Sequence, residues 1–490
     1  MWDAGGTGAA SGSDFLQLDT ADAPVGGLSD WLAGRLREAI SDGRLPVGSR
    51  LPASRLLAAE LRVSRGVVTE AYRRLSEDGH VAGRGRKGTV VVAAPLTAPP
   101  SSPATAATAT GALFAGEPGA EIFDALRAAP ARVDLSPGLP DLAAFPRAAW
   151  LRAERAVLGT LSASGFGYGD PRGTPALRRA VANWLARNRG IRADPEDILV
   201  VAGTAQALTL LARVLHRRGI RQVAVEDPGS LGARQHLRDG LLETPPVPVD
   251  SEGIRVDALR ATGAPAVVLT PAHQFPTGVV LGGERRRELI RWAGEGGLII
   301  EDDYDAEHRY DRPPVAALRS MLAEQVCYAG SVSKLLAPAL RVGWVLAPPR
   351  YRDALLDAKR YADLGNAALP QLVLAHLMES GELERHLRLL RRRHRHRRDA
   401  MIRALAAHLP DARVHGAAAG LHLMITLPGE VADRDLAAAA LARGVKTQPL
   451  SWHAQRPHPP GLVLGYAANT PTLITEGVAV LGEVVREFVG

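Results

Sequence analysis

Five short apolar runs, DILVVAG, QVAVED, AVVLTP, GLIIED and QVCYAGS, recur between residues 197 and 331, with amphipathic stretches such as TPALRRAVANWLARNRG set among them. Runs this apolar suit strands buried on both faces, and strands interrupted by helices are joined by crossovers. The alternation predicts an α/β fold, a mostly parallel sheet covered by helices, beginning near residue 132 and running to residue 490. Past residue 350 it gives way to a long Arg-rich helical region and a smaller α+β unit containing GLHLMITL and GLVLGYA. The run RLLRRRHRHRRD reads as a solvated helix face, with an auxiliary DNA contact as the sharper alternative.

The 490 residues exceed what one core accommodates, and composition marks where the chain divides. Residues 94–131, including APLTAPPSSPATAATATGALFAGEPG, are rich in Pro, Ala, Thr and Ser and nearly uncharged, so they read as a linker. Residues 14–93 hold a separate unit. Trp31, Leu32, Leu36 and Ile40 repeat at helical spacing ahead of Gly43. RLPASRLLAAELR gives a second helix with Ser54 as its candidate cap, and VSRGVVTEAYRRLSEDG a third, capped by Ser64. HVAGRGRKGTVVV then reads as two short strands around a basic, Gly-rich turn. Three helices and a hairpin make a winged helix-turn-helix. Between residues 26 and 93, twelve Lys and Arg outweigh seven Asp and Glu. The whole chain, at +7 with a pI near 9.8, permits a polyanionic partner without requiring one.

Residues 1–13, Gly-, Ala- and Ser-rich, read as a disordered tail and lack the basic start and apolar core of a signal peptide. No window approaches the ~20 apolar residues of a membrane helix, and a cytoplasmic protein is expected. The single cysteine, Cys327, excludes an intrachain disulfide and a multi-cysteine metal site. Within VCYAG it reads as a buried structural thiol, and no metal is expected.

Of 59 basic residues only Lys87, Lys334, Lys359 and Lys446 are lysine. Arginine carries the surface charge, so a lysine kept in SVSKLLAPALR calls for chemistry that a guanidinium lacks, and forming a Schiff base is such chemistry. Four strand ends support this, because polar clusters there gather at the carboxyl edge of the sheet. IIEDDYD offers an acid for a protonated ring nitrogen. Ser331 and Arg341 flank Lys334 as phosphate donors. VAGTAQAL ends a strand at glycine and opens a helix whose free N–H groups attract the same anion. TPAHQFPTG adds a further polar loop. An imine-forming lysine, an acid and a phosphate cup together describe pyridoxal 5'-phosphate.

The motifs LPASRLLAAELRVSR, FGYGDPRGTPALR, EDDYDAEHRY and SVSKLLAPALRVGW give the chain, from about residue 14, a resemblance to the MocR/GabR-type members of the GntR transcriptional regulators. That resemblance implies a winged helix tethered to a fold-type-I aminotransferase-like domain that forms homodimers. It makes Lys334 the cofactor lysine and Asp302 the partner of the pyridinium nitrogen. Tyr304 would approach the ring hydroxyl. Thr204, Ala205, Ser331 and Arg341 would hold the phosphate, and Tyr168 would reach in from a partner subunit. In the winged helix it places Arg55, Ser64 and Arg65 at double-stranded operator DNA, with Arg84, Arg86 and Lys87 lining the wing.

Three positions depart from this pattern. Ser230 stands where an aromatic stacks on the pyridine ring, with Leu231 as a substitute cover. Phe275 replaces the asparagine expected before PTG, leaving His273 or Gln274 to compensate. Val463 stands where aminotransferases carry the arginine that grips a substrate carboxylate. A regulator needs only a ligand-dependent shape change. The expected function is therefore a transcription factor sensing pyridoxal phosphate or an amine adduct of it, without significant transaminase activity, and a PdxR-like role in vitamin B6 synthesis is implied. The alternatives are a regulator sensing an amino acid joined to the cofactor, and an active aminotransferase with an accessory DNA-binding domain.

Overall fold

Apolar side chains three and four residues apart fold the N-terminal part into three helices: α1 (Leu28–Ser41), α2 (Ser54–Glu60) and α3 (Arg65–Glu77). The computed structural model describes residues 18, 20, 23–24, 27–85, 88–93, 113–305, 307–309 and 315–489, and the chain divides into two units, Met1–Pro100 and Ser101–Gly490. The expected disordered tail, Arg86, Lys87 and the first half of the expected linker lie outside the described residues. Leu36, Leu57, Val68 and Leu75 form the centre of the N-terminal core. Strands β1 (Val81–Gly83) and β2 (Thr89–Val91) pair antiparallel as the wing, with Val81 opposite Val91. Ser64 caps α3, its hydroxyl accepting from Val67 N at 3.4 Å. Ser54 does not cap α2. Ala53, extended after Pro52, holds that position, and Ser54 begins the helix with its hydroxyl 3.4 Å from Arg65 Nε.

The second half of the expected linker is folded. Helix Ile122–Ala128 buries Ile122 and Leu126 beside Phe114 in the core of the C-terminal unit. Composition averaged over the stretch hid these side chains among Ala, Pro and Ser. The short strand β3 (Val133–Asp134) pairs in parallel with residues 445–446.

The main sheet contains β4 (Ile198–Val201), β5 (Ala224–Asp227), β6 (Pro246–Asp250), β7 (Gly253–Ile254), β8 (Ala266–Leu269), β9 (Leu298–Asp303), β10 (Val326–Ser331) and β11 (Gly343–Leu346). Their order is β4-β11-β10-β9-β8-β5-β6-β7. From β10 to β6 the pairs are parallel, whereas β11 runs antiparallel to β4 and β10, and β7 antiparallel to β6. The five apolar runs are thus strands, and β11 adds one within the RVGWVLAP segment. Glycine lets it fit: a Cβ on Gly343 would stand 2.7 Å from Gly330 O and 2.9 Å from Gly203 Cα. Three chain segments meet there without side chains, directly at the start of helix Thr204–Arg217.

A 27-residue helix, Glu382–His408, leads into a four-stranded sheet and the last helix, Pro471–Val489. The reading of RLLRRRHRHRRD as a solvated face fits part of it. Arg388, Arg392 and Arg395 are exposed, but Arg393 and Arg397 turn inward onto the buried Asp141 at 2.7 and 2.8 Å. Cys327 is buried in β10, and burial pushes its thiol up to about 12, so it is an inert core residue. Among the described residues no helix is long and apolar enough to cross a membrane.

Candidate functional site

The parallel strands β8, β9, β10 and β4 deliver Thr270–Gln274, Asp302–Asp305, Ser331–Lys334 and Ala202–Thr204 to one edge of the sheet. The four carboxylates of EDDYD have different fates. Glu301 accepts from Leu318 N and Arg319 N, Asp303 from Arg189 Nε at 2.6 Å, and Asp305 pairs with His273 Nδ1 at 2.9 Å. Among the described residues Asp302 has no such partner, and its Oδ1 is buried and unsatisfied. Burial and the neighbouring Asp303 and Asp305 push it up to about 7, against the pull of Lys334. A buried acid at the edge of ionising, with an oxygen free, suits a cationic ring nitrogen.

Lys334 Nζ donates to Gly138 O. Burial lowers its pKa, and the nearby Asp305 and Asp302 oppose the shift. Gly138 was not foreseen from sequence. Its backbone, at φ +80°, approaches so closely that a Cβ would lie 3.2 Å from the amine.

Opposite, Gly203 precedes the 14-residue helix Thr204–Arg217, whose first-turn N–H groups lack intrahelical acceptors. A Cβ on Gly203 would sit 3.6 Å and 3.7 Å from the Arg341 guanidinium nitrogens and 3.8 Å from Ser331 Oγ. Helix start, hydroxyl and guanidinium therefore converge on one cradle, a donor set for a dianion. Arg341 adopts a left-handed backbone, φ 51° and ψ 47°, which a non-glycine residue holds only under constraint.

The Tyr304 hydroxyl lies 3.1 Å from His273 Nδ1 and donates to His273 O at 3.2 Å. Burial raises its pKa far above the ordinary value, so it remains a donor. Thus Lys334, Asp302, Tyr304, Thr204, Ala205, Ser331 and Arg341 all border one sheet edge. Tyr168 stands at 96% exposure, and a single chain does not bring it into the cluster.

The departures have structural consequences. Ser230 caps helix Leu231–Asp239, accepting from Ala233 N at 3.2 Å. Leu231 is not free to cover a ring: it is buried in the core that also holds Phe114 and Trp452. Gln274 folds back onto its own loop through Thr277 and Phe275 O. Val463 is fully buried with Met424 and Leu450, and Phe275 packs against them. The Phe275 ring also meets His422 and His453 at 5.0 and 4.9 Å between centroids. Burial drives both histidines down to about 3, so this wall is uncharged. His273, Asp305 and His422 present ligand atoms within 4.8 Å of one another. His273 Nδ1 pairs with Asp305, and His422 Nε2 lies 3.2 Å from Pro276 O.

In the winged helix, Arg55, Ser64, Arg65 and Arg84 are exposed. Thr69 and Arg73, which sequence reasoning passed over, share the outer face of α3 with Arg65, and Arg73 is engaged by Glu70 and Glu77.

Comparison with known proteins matches residues 133–476 to the family "Aminotransferase class I and II" and residues 28–91 to "Bacterial regulatory proteins, gntR family". The chain is 32% identical over 479 residues to the probable rhizopine catabolism regulatory protein MocR of Rhizobium meliloti, covering 95% of this chain and 94% of that protein. It is 31% identical to the pyridoxine biosynthesis transcriptional regulator PdxR of Corynebacterium glutamicum, covering 86% and 87%. Among solved structures, a multiple substrate aminotransferase from Thermococcus profundus is 28% identical with a TM-score of 0.69, covering 76% of this chain and 96% of that one.

Proposed function

We propose that this chain, which belongs to the MocR type of GntR-family transcriptional regulators with an aminotransferase class I domain, binds operator DNA through its winged helix and senses pyridoxal phosphate or an amine adduct of it. When bound, that cofactor supplies an aldehyde able to condense with a primary amine. Lys334 provides the protein's amine, Asp302 holds a proton at the ring nitrogen, and Tyr304 donates to the ring oxygen. Thr204 and Ala205, by their amides, grip the phosphate with Ser331 and Arg341. Tyr168 comes from a second copy. Exposed Phe166, Tyr168, Tyr361 and Leu364 support such a homodimer, and a Cβ on Gly365 would stand 3.2 Å from Pro171 Cα, so two of their segments adjoin.

The observation that carries the reading is the pairing of the donor cradle at Gly203 with an uncharged wall of Phe275 over Val463. The site can hold the cofactor but offers no clamp at the usual place for an amino-acid carboxylate, which favours the cofactor as signal. Likeness to a pyridoxine biosynthesis regulator supports vitamin B6 synthesis as the controlled pathway, in the cytoplasm. Stripping and restoring pyridoxal phosphate tests this. Operator affinity is expected to change by about 5- to 150-fold, an ordinary allosteric coupling. Equal affinities would end the proposal.

Arg65, exposed at the first position of α3, points to direct readout in the major groove. Arg65→Ala is expected to cost about 1–3 kcal/mol of operator binding and to relax sequence preference. Titration against operator and scrambled duplexes at fixed salt measures both. A loss equal on the two duplexes would reduce Arg65 to a phosphate contact.

A further inference from the structure

Lys359 is fully buried in helix Pro349–Asp363, and no step described so far uses it. Its ammonium donates to Gln206 Oε1 at 3.0 Å, Asp363 Oδ2 at 2.6 Å and Asn366 Oδ1 at 2.5 Å. Three acceptors saturate three donors, so the protonated form fits this place although burial lowers its pKa. Each acceptor leads onward. Gln206 Oε1 accepts from Ala202 N at 2.8 Å, and Gln206 Nε2 donates to Asp363 Oδ2 at 2.7 Å. Asn366 Nδ2 donates to Arg341 O at 3.1 Å, and the Arg341 guanidinium returns to Ala202 O. The bonds close a ring through Ala202, Gln206, Lys359, Asn366 and Arg341.

Both arms of the cradle at Gly203 belong to this ring. Ala202 fixes the turn into helix Thr204–Arg217, and Asn366 holds the carbonyl of Arg341 in its left-handed conformation. We infer that Lys359 is a positioning residue for a phosphate dianion, joining the helix start and Arg341 into one preorganised anion site without touching the ligand. Arginine could not replace it. A planar fork does not direct donors to three acceptors spread around a point, as an ammonium does. This explains a second lysine in an arginine-rich chain.

The inference rests on reading the cradle as a phosphate site, and one pair of ligands separates the two ideas. Equilibrium binding of pyridoxal phosphate and of pyridoxal, which lacks the phosphate, is measured for wild type, Lys359→Met and Asn366→Leu. If wild type does not prefer pyridoxal phosphate, the phosphate site itself is wrong. If it does, Lys359→Met is expected to weaken pyridoxal phosphate on the order of tenfold, as for a lost charge-assisted contact, while pyridoxal binding stays within about twofold. Asn366→Leu keeps the lysine and its charge but cuts the link to Arg341, and the same selective loss is expected. It also decides the question should Lys359→Met fail to fold. An unchanged preference in the variants, an equal loss for both ligands, or a loss in Lys359→Met alone would overturn the positioning role.

Discussion

Lys334→Ala is expected to yield a folded protein that no longer fixes pyridoxal phosphate covalently on borohydride reduction. Among the described residues the other lysines are already engaged. Lys359 spends its donors on three oxygens, and Lys446 is buried 3.4 Å from Asp134 and from Arg127 O. Lys87 belongs to the wing sequence and lies outside the described residues. Lys334 alone among those described sits with a pKa lowered by burial beside Asp305 and Asp302. Lys334→Arg should fail in the same way, since a guanidinium stays protonated and cannot condense with an aldehyde. Folding should survive in the alanine variant. Among the described residues the Lys334 amine hydrogen-bonds only to Gly138 O, so the alanine variant gives up one such contact. Weak noncovalent binding should persist, because the phosphate contacts remain. Reduction followed by peptide mapping gives the answer. Label retained in the variant would move the reactive amine elsewhere and dismantle the site.

What sequence revealed was whatever is local to a strand end. Asp302, Lys334, Ser331 and the start of helix Thr204–Arg217 each sit where a buried run turns polar, and such a turn is visible in one dimension. Sequence could not say which acid of EDDYD remains free. That depends on Arg189, His273 and the backbone at 318–319 claiming the others, and two of those three are distant in the chain. The ring through Lys359 was hidden for the same reason, since it joins residue 202 to residue 341 through residue 359. Ser54 misled because a helix-start serine looks the same whether it caps or begins the helix. Phe114, Ile122 and Leu126 misled because three apolar residues in a Pro- and Ala-rich stretch do not reveal the surface they cover. Strand β11 was obscured by the glycines that make its close approach to Gly203 feasible.

Common α-amino acids are expected neither to turn over nor to shift operator affinity as much as pyridoxal phosphate does. The argument is electrostatic. A desolvated carboxylate needs a paired cation, and leaving it unpaired costs several kcal/mol. At the position where aminotransferases place arginine, Val463 is sealed behind Phe275 with Met424 and Leu450. The adjoining His422 and His453 offer no substitute. Burial holds both near 3, so they become cationic only in strong acid and stay neutral at working pH. An amine without a carboxylate faces no such cost at this wall. The measurement is operator binding by cofactor-loaded protein with a panel of amino acids, alongside an assay for keto-acid release. An amino acid that alone switched affinity would mean that its carboxylate finds a cation elsewhere. Arg234 would then be the first residue to substitute, being a buried guanidinium whose Nε has no partner among the described residues. Sustained release of keto acid would go further and make the cradle an active site, with the DNA-binding unit as its accessory.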